Sequence, residues 1–232
     1  MSNPLIVAYT ESDFIGKMIF LALLLLSMVS WTILIQKGLA FRLIKRKGRD
    51  LMKQFDAIKT QPLSLDIKTE RHPFSEIYQH LKDQTLLLLR KNQTGFEEEK
   101  PVILSTSDID LIHSSLSSTI GHHSKSLESY LYILSTVVTL GPFLGLLGTV
   151  WGILTTFAAM STRDSGQTSE AILSGLAMAL GTTILGLLVA IPALIAYNYL
   201  KNSSRELQMD MQDFASKAVA TVEVHYRKVE IT

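Results

Sequence analysis

The chain of 232 residues contains no cysteine, which excludes disulfides, iron–sulfur ligation and cysteine-based zinc sites. It also lacks an excess of either charge: 22 Lys and Arg against 21 Asp and Glu leave a formal net charge of +1. Without surplus positive charge to displace counterions, the chain is not a general nucleic-acid binder. Two long stretches contain no charged residue and no histidine: Ser129 to Thr162, 34 residues, and Ala171 to Leu200, 30 residues. Both exceed the ~20 apolar residues that cross a hydrocarbon core of ~30 Å. Neither has the polar face that a soluble helix of that length needs. No phosphate-binding glycine loop, nucleophile elbow or HExxH motif is present. No lysine lies inside a span, so the Ser/Lys dyad of a membrane peptidase is missing as well. Neighbours on a helix point about 100° apart, so His122-His123 does not make a metal pair, and the other four histidines are scattered. The expectation is a protein that is not an enzyme, uses no cofactor and binds no metal.

What is present is apolar: hydrophobic residues make up 47% of the chain. A third span, Met18 to Gln36, lies between Lys17 and Lys37. Acidic Glu11 and Asp13 precede it in place of a basic n-region, so it reads as a retained anchor, not a cleaved signal peptide. Basic residues set the orientation. Only Lys17 precedes the first span, whereas Lys37, Arg42, Lys45, Arg46, Lys47, Arg49 and Lys53 follow it directly. The tail after Leu200 is also basic, with Lys201, Arg205, Lys217, Arg227 and Lys228. The expected fold is an all-α integral membrane protein with three transmembrane helices and a periplasmic N-terminus, its second and third helices extending into the cytoplasm. Its segments are a periplasmic N-terminus (1–17), span one (18–36), a cytoplasmic helical region (37–128), span two (129–160), a periplasmic loop (161–170), span three (171–200) and a cytoplasmic helical tail (201–232).

Outside the spans, Leu39, Leu43, Leu51 and Phe55 recur at helical spacing among the basic residues from Gly38 to Asp56. They read as a positive-inside flank with its apolar stripe on the membrane surface. Gln61-Pro62 and His72-Pro73 break the chain. Pro73 to Arg90 is helical in pattern, and Asn92 to Lys100 is a polar turn. A second helix starts near Ser105 or Ser107, with Ser107-x-x-Asp110 as a candidate cap. Ile109, Ile112, Leu116, Ile120, Leu127 and Leu131 carry its periodicity into span two with no obvious stop. Leu207, Met211, Phe214, Ala218 and Val222 continue span three in the same way.

Spans two and three are rich in glycine and threonine. Gly141, Gly145, Gly148 and Gly152 form two small-xxx-small pairs on one side of span two. Each glycine costs about 1 kcal/mol against alanine in a helix, and close helix approach in lipid is the compensating gain. Gly175, Ala179, Thr182, Gly186 and Ala190 form a matching stripe in span three. Pro142 and Pro192 belong to the same packing surfaces, and Pro142 removes one intrahelical hydrogen bond. Two glycine-bearing faces offer each chain two surfaces for contact between copies, and head-to-tail contacts close into rings. Thr149, Thr155, Thr156, Thr182 and Thr183 place hydroxyls in mid-span, where they back-bond to their own helix or face a polar lumen.

Leu147 to Ile153 (LGTVWGI) and Gly186 to Asn198 (GLLVAIPALIAYN) resemble the MotA/TolQ/ExbB group of bacterial inner-membrane motor subunits, in its TolQ/ExbB branch. Chain length, three spans, topology and the short external loop fit along the whole chain. The specific motif agreement is confined to Gly141–Phe157 and Gly175–Asn198. The resemblance implies a homopentamer in the bacterial inner membrane whose second and third helices line a pore. The pore would hold a TolR- or ExbD-like single-span partner bearing an intramembrane aspartate, and a TonB- or TolA-like protein would act further along. Thr149 and Thr183 occupy the positions of the threonines that flank the proton path in this group, beside Thr182. Relatives typically carry a glutamate in an Ala-Glu-Ala-Leu run of the third span. Here the run is Ala177-Met178-Ala179-Leu180, so Met178 stands at that point of the expected path and cannot titrate. The implied function is that of a pore-forming stator subunit coupling the proton-motive force to envelope work or transport across the outer membrane. The alternative is a non-conducting pentameric scaffold of the same fold.

Overall fold

The computed structural model describes residues 4–10, 12–58, 61–65, 72–93, 103–161 and 168–227. Among these residues six helices follow in order: α1 (Pro4–Thr10), α2 (Phe14–Ala57), α3 (Pro73–Gln93), α4 (Thr106–Glu128), α5 (Leu131–Ser161) and α6 (Thr168–Tyr226). Among the described residues three segments are long and apolar enough to cross a membrane, carried by α2, α5 and α6. The polar turn expected over Asn92–Lys100 and the loop expected over Ser161–Glu170 lie largely outside the described residues, which omit 94–102 and 162–167.

The chain forms two compact units, the first from residues 1–38 and 130–201 and the second from 39–129 and 202–232. In the first, α1 starts at Pro4, whose missing N–H has no intrahelical role at that position. Asp13 caps α2: its Oδ1 accepts from the Gly16 N–H at 2.8 Å, and its carbonyl accepts from the Lys17 N–H at 3.0 Å. Ile19 and Leu23 of α2 pack with Val137 of α5 and with Val189 and Ala193 of α6. Ala8, Phe20 and Met178 form a second apolar cluster, against which Trp151 and Leu185 rest.

The second unit is built round aromatic side chains. Phe55 meets Phe214 edge-on at 5.6 Å between centroids and Tyr78 at 6.0 Å, and Phe74 meets Phe214 at 6.0 Å. Gly48 allows this packing, since a Cβ there would lie 2.5 Å from the Phe74 ring. The Tyr78 hydroxyl donates to the Pro62 carbonyl at 2.9 Å and accepts from the Leu65 N–H at 3.1 Å, which ties down the turn after α2. Lys45–Glu206 at 2.9 Å and Lys217–Asp56 at 2.6 Å join α2 to α6. These surface pairs contribute at most about 1 kcal/mol each, so the aromatic core dominates.

Three local expectations are corrected. Leu51 and Phe55 are buried in the second unit, not laid on a membrane surface, because α2 continues unbroken to Ala57 and Phe55 finds Tyr78 and Phe214. Leu39 and Leu43 of the same stripe are exposed. The cap of α4 is Ser105, not Ser107: its hydroxyl accepts from the Asp108 N–H, and the Asp108 carboxylate accepts from the Ser105 N–H at 2.9 Å. Burial alone would raise the Asp108 carboxyl, but hydrogen bonds from Ser105 and Asn92 and the nearby Lys91 charge hold it below the usual range. Finally, α4 does not run into α5. Ser129 is extended and Tyr130 adopts a left-handed φ of 69°, which breaks the helix without glycine or proline. Lys37 Nζ lies 5.5 Å from the centroid of the Tyr130 ring, a cation–π contact that supports this conformation. Leu207, Met211, Phe214, Ala218 and Val222 do lie on one buried stripe of the unbroken α6.

Between α3 and α4, His123 Nε2 sits 3.2 Å from the Glu76 carboxylate. Burial pushes the His123 imidazole below its ordinary value; Glu76 partly opposes this, and His122 adds to it. A histidine harder to protonate folded than unfolded stabilises fully above the unfolded pKa of about 6.5. That stability is lost as pH falls through this value toward the lower folded one. Thermal melts in detergent at pH 8 and pH 5.5 are therefore expected to differ less for His123→Gln than for the wild type. An equal pH response in both proteins would show that His123 plays no part in it.

Candidate functional site

In the first unit α5 and α6 run antiparallel, with Gly141 against Gly186 and Ala190, Gly145 against Thr182 and Thr183, and Gly152 against Gly175 and Ala179. The two glycine stripes face each other within one chain. A Cβ at Gly145 would lie 3.1 Å from the Thr183 Cα, one at Gly152 2.6 Å from the Gly175 carbonyl oxygen, and one at Gly186 2.6 Å from that of Gly141. These are contacts with backbone atoms, so at Gly152 and Gly186 a side chain forces the helices apart, and at Gly145 even a methyl group is a tight fit. The expectation that the stripes join neighbouring copies is thereby corrected: their surface is occupied inside the protomer. Pro142 is exposed and outside this seam, and Pro192 faces a shallow groove lined by Ser27, Ser30 and Trp31 of α2.

The four residues expected along a lumen separate into two pairs. Thr182 is fully buried, its side chain directly over Gly148, and its hydroxyl donates to the carbonyls of Met178 and Ala179 at 3.0 Å each. Met178 is 2% exposed, packed on Gly16 of α2 and on Ala8 and Phe20. Within the single chain both pack in the interior of the first unit. Thr149 and Thr183 remain half-buried. The Thr149 hydroxyl donates to the Leu146 carbonyl at 2.7 Å, and that of Thr183 crosses the seam to the Gly145 carbonyl at 3.2 Å. A hydroxyl that donates to a carbonyl keeps its lone pairs for a further partner.

One polar contact is not evident from sequence spacing. The Trp151 indole Nε1 donates to Asp13 Oδ2 at 2.7 Å, across 138 positions of the chain. Asp13 precedes the first span, and only the fold brings its carboxylate against the LGTVWGI segment. Among the described residues no group of three or more His, Asp or Glu could hold a metal ion.

With this geometry in hand, four similarities bear on function. Residues 87–213 match the sequence profile of the MotA/TolQ/ExbB proton channel family, a region containing the whole of α5 and most of α6. The chain is 27% identical over 226 residues to the Tol-Pal system protein TolQ of Pseudomonas aeruginosa, covering 95% of this chain and 91% of that one. It is 25% identical over 217 residues to the biopolymer transport protein ExbB of Pseudomonas putida, covering 92% of this chain and 62% of that protein. An ExbB of Aquifex aeolicus is 48% identical over 88 residues, or 38% of this chain and 59% of its own length. The chain thus spans about three fifths of these two ExbB proteins.

Proposed function

Because the chain belongs to the MotA/TolQ/ExbB proton channel family, we propose that it is the pore-forming subunit of an inner-membrane motor of TolQ/ExbB type. In this reading it couples the proton-motive force to envelope work or to transport across the outer membrane. The observation that carries the proposal is the family match over both threonine-bearing helices. Copies of the chain assemble as a pentamer around a lumen, with Thr149 and Thr183 facing it. The exposed apolar residues Leu146, Val150 and Leu154 of α5 and Leu180, Ile184 and Ile191 of α6 supply surface for neighbours and lipid. A single-span TolR- or ExbD-like partner threads the lumen and brings the carboxylate that carries the proton; a TonB- or TolA-like protein completes the machinery. The N-terminus is periplasmic and the basic flank after span one cytoplasmic, an orientation that the lysine and arginine asymmetry supports.

Thr149 and Thr183 act by hydrogen bonding to that carboxylate in either protonation state, without titrating themselves. Thr149→Val and Thr183→Val keep the side-chain shape and remove the hydroxyl. Each is expected to lower proton-motive-force-dependent envelope function at least about tenfold, the effect of losing a hydrogen bond to a charged group, while reaching the membrane in normal amounts. Thr183→Ser restores the hydroxyl, including its bond to the Gly145 carbonyl, and is expected to recover function. Complementation of a deletion strain measures all three. Wild-type function in both valine variants would remove the threonines from the path and leave the scaffold reading.

A further inference from the structure

We propose that Asp13 is a positioning residue of this machinery: its carboxylate clamps the α1–α2 elbow to Trp151 and thereby holds α5 in the rotation that presents Thr149. One carboxylate oxygen accepts from the Gly16 N–H at 2.8 Å, while the other accepts from the Trp151 indole at 2.7 Å. The elbow is tight. The Ser12 hydroxyl donates to the Ala8 carbonyl, and the Ser12 N–H donates to that of Tyr9 at 3.3 Å. Folded back in this way, α1 lays Ala8 on Gly181, where a Cβ would approach the Ala8 Cβ to 2.9 Å. Gly16 rests directly on the Met178 side chain. The elbow therefore grips α6 through Ala8 and Gly16, and α5 through Asp13.

The polar contact suits its surroundings. Trp151 packs its ring against the Ala8–Phe20–Met178 cluster, while its N–H end reaches out to the exposed Asp13 carboxylate. Asp13 accepts from the indole without giving up its bond from the Gly16 N–H. The indole bond is charge-assisted and of short length. Trp151 lies two residues from Thr149, about 200° round the helix. The glycine seam restrains α5 along Gly145, Gly148 and Gly152, and the clamp restrains it at Trp151. Releasing the clamp frees α5 to roll about the seam and carries Thr149 with it.

Serine at position 13 still caps α2 but is too short to reach the indole, so Asp13→Ser separates the clamp from the cap. Trp151→Phe removes the donor and keeps the ring, and Asp13→Asn keeps an acceptor. The chain has two tryptophans, so a Trp31→Phe background leaves Trp151 as the sole emitter. In the detergent-solubilised full chain, Asp13→Ser is expected to shift the Trp151 emission maximum and Asp13→Asn to shift it less. The functional arm rests on the motor reading. There, Asp13→Ser and Trp151→Phe each lower envelope function about tenfold, the double variant is no worse than either, and Asp13→Asn retains most function. Unchanged emission in Asp13→Ser, or single losses that multiply in the double variant, would overturn the clamp. If the wild-type chain shows no envelope function, the motor reading fails instead, and emission alone decides the clamp.

Discussion

Gly186→Leu is expected to leave little folded protein in the membrane. A Cβ at this position would stand 2.6 Å from the Gly141 carbonyl oxygen and 3.2 Å from the Gly145 Cα. Both obstacles are backbone, so no rotamer change makes room, and leucine adds three further carbons beyond the Cβ. The two helices must separate, and separation undoes the contacts at Gly141, Gly145, Gly148 and Gly152 together. Overpacking a tight core costs about 1–3 kcal/mol and sometimes more; a seam with no side chain to yield belongs at the upper end or beyond. Gly186→Ala is expected to fall between wild type and leucine. Gly121→Ala is the opposite case, because nothing lies within 4 Å of a Cβ there. On α4 it should raise stability by up to about 1 kcal/mol through helix propensity alone. Immunoblots of membrane fractions and thermal melts in detergent test the series. A leucine variant with wild-type abundance and melting temperature would mean that the helices do not meet at Gly186.

The assembled chain alone is expected to be electrically silent in liposomes. Met18–Gln36, Ser129–Thr162 and Ala171–Leu200 contain no Asp, Glu, His, Lys or Arg. Threonine and tyrosine hydroxyls relay through water but do not hold a proton at neutral pH. Asp13, the carboxylate that the fold brings against α5, is engaged with Trp151, about 200° from Thr149. A proton stopping point in the lumen must then come from another chain, with its pKa raised by the low-dielectric surroundings. Under an imposed pH gradient, flux should match that of empty liposomes. It should rise when a single-span partner with an intramembrane Asp or Glu is co-reconstituted, and vanish again when that carboxylate becomes an amide. Met178→Glu is not a shortcut. It would bury a carboxylate against Gly16, Ala8 and Phe20, where it destabilises the protein without reaching a lumen. Flux through the chain alone would refute this account. Silence even with the partner would favour the non-conducting scaffold.

The spans were legible because charge is a nearly binary signal in a membrane: 34 residues without a single ionisable group from Ser129 to Thr162 have few soluble solutions. The glycine stripes were legible too, because repeated glycine in a helix needs close packing to offset its cost. Their partner was not. A stripe records only that something approaches, and contact within a chain or between chains demands the same small residues. Tyr130 illustrates a second limit. Its left-handed φ breaks α4 from α5 with neither glycine nor proline to announce it, so the apolar periodicity from Ile109 to Leu131 read as one helix. Met178 and Asp13 show a third. Position along a span says nothing about which way a side chain faces, and a carboxylate outside the span reaches α5 only through the α1–α2 elbow.

A seam made of backbone against backbone has mechanical consequences. Where side chains interdigitate, helices slide by exchanging rotamers; where Gly141, Gly145, Gly152, Gly175 and Gly186 let main chains touch, no such soft coordinate exists. The α5–α6 pair in the first unit is stiff against sliding along the seam. A force along either helix displaces both, and the freedom that is left is rotation about the seam, which the α1–α2 elbow holds in check.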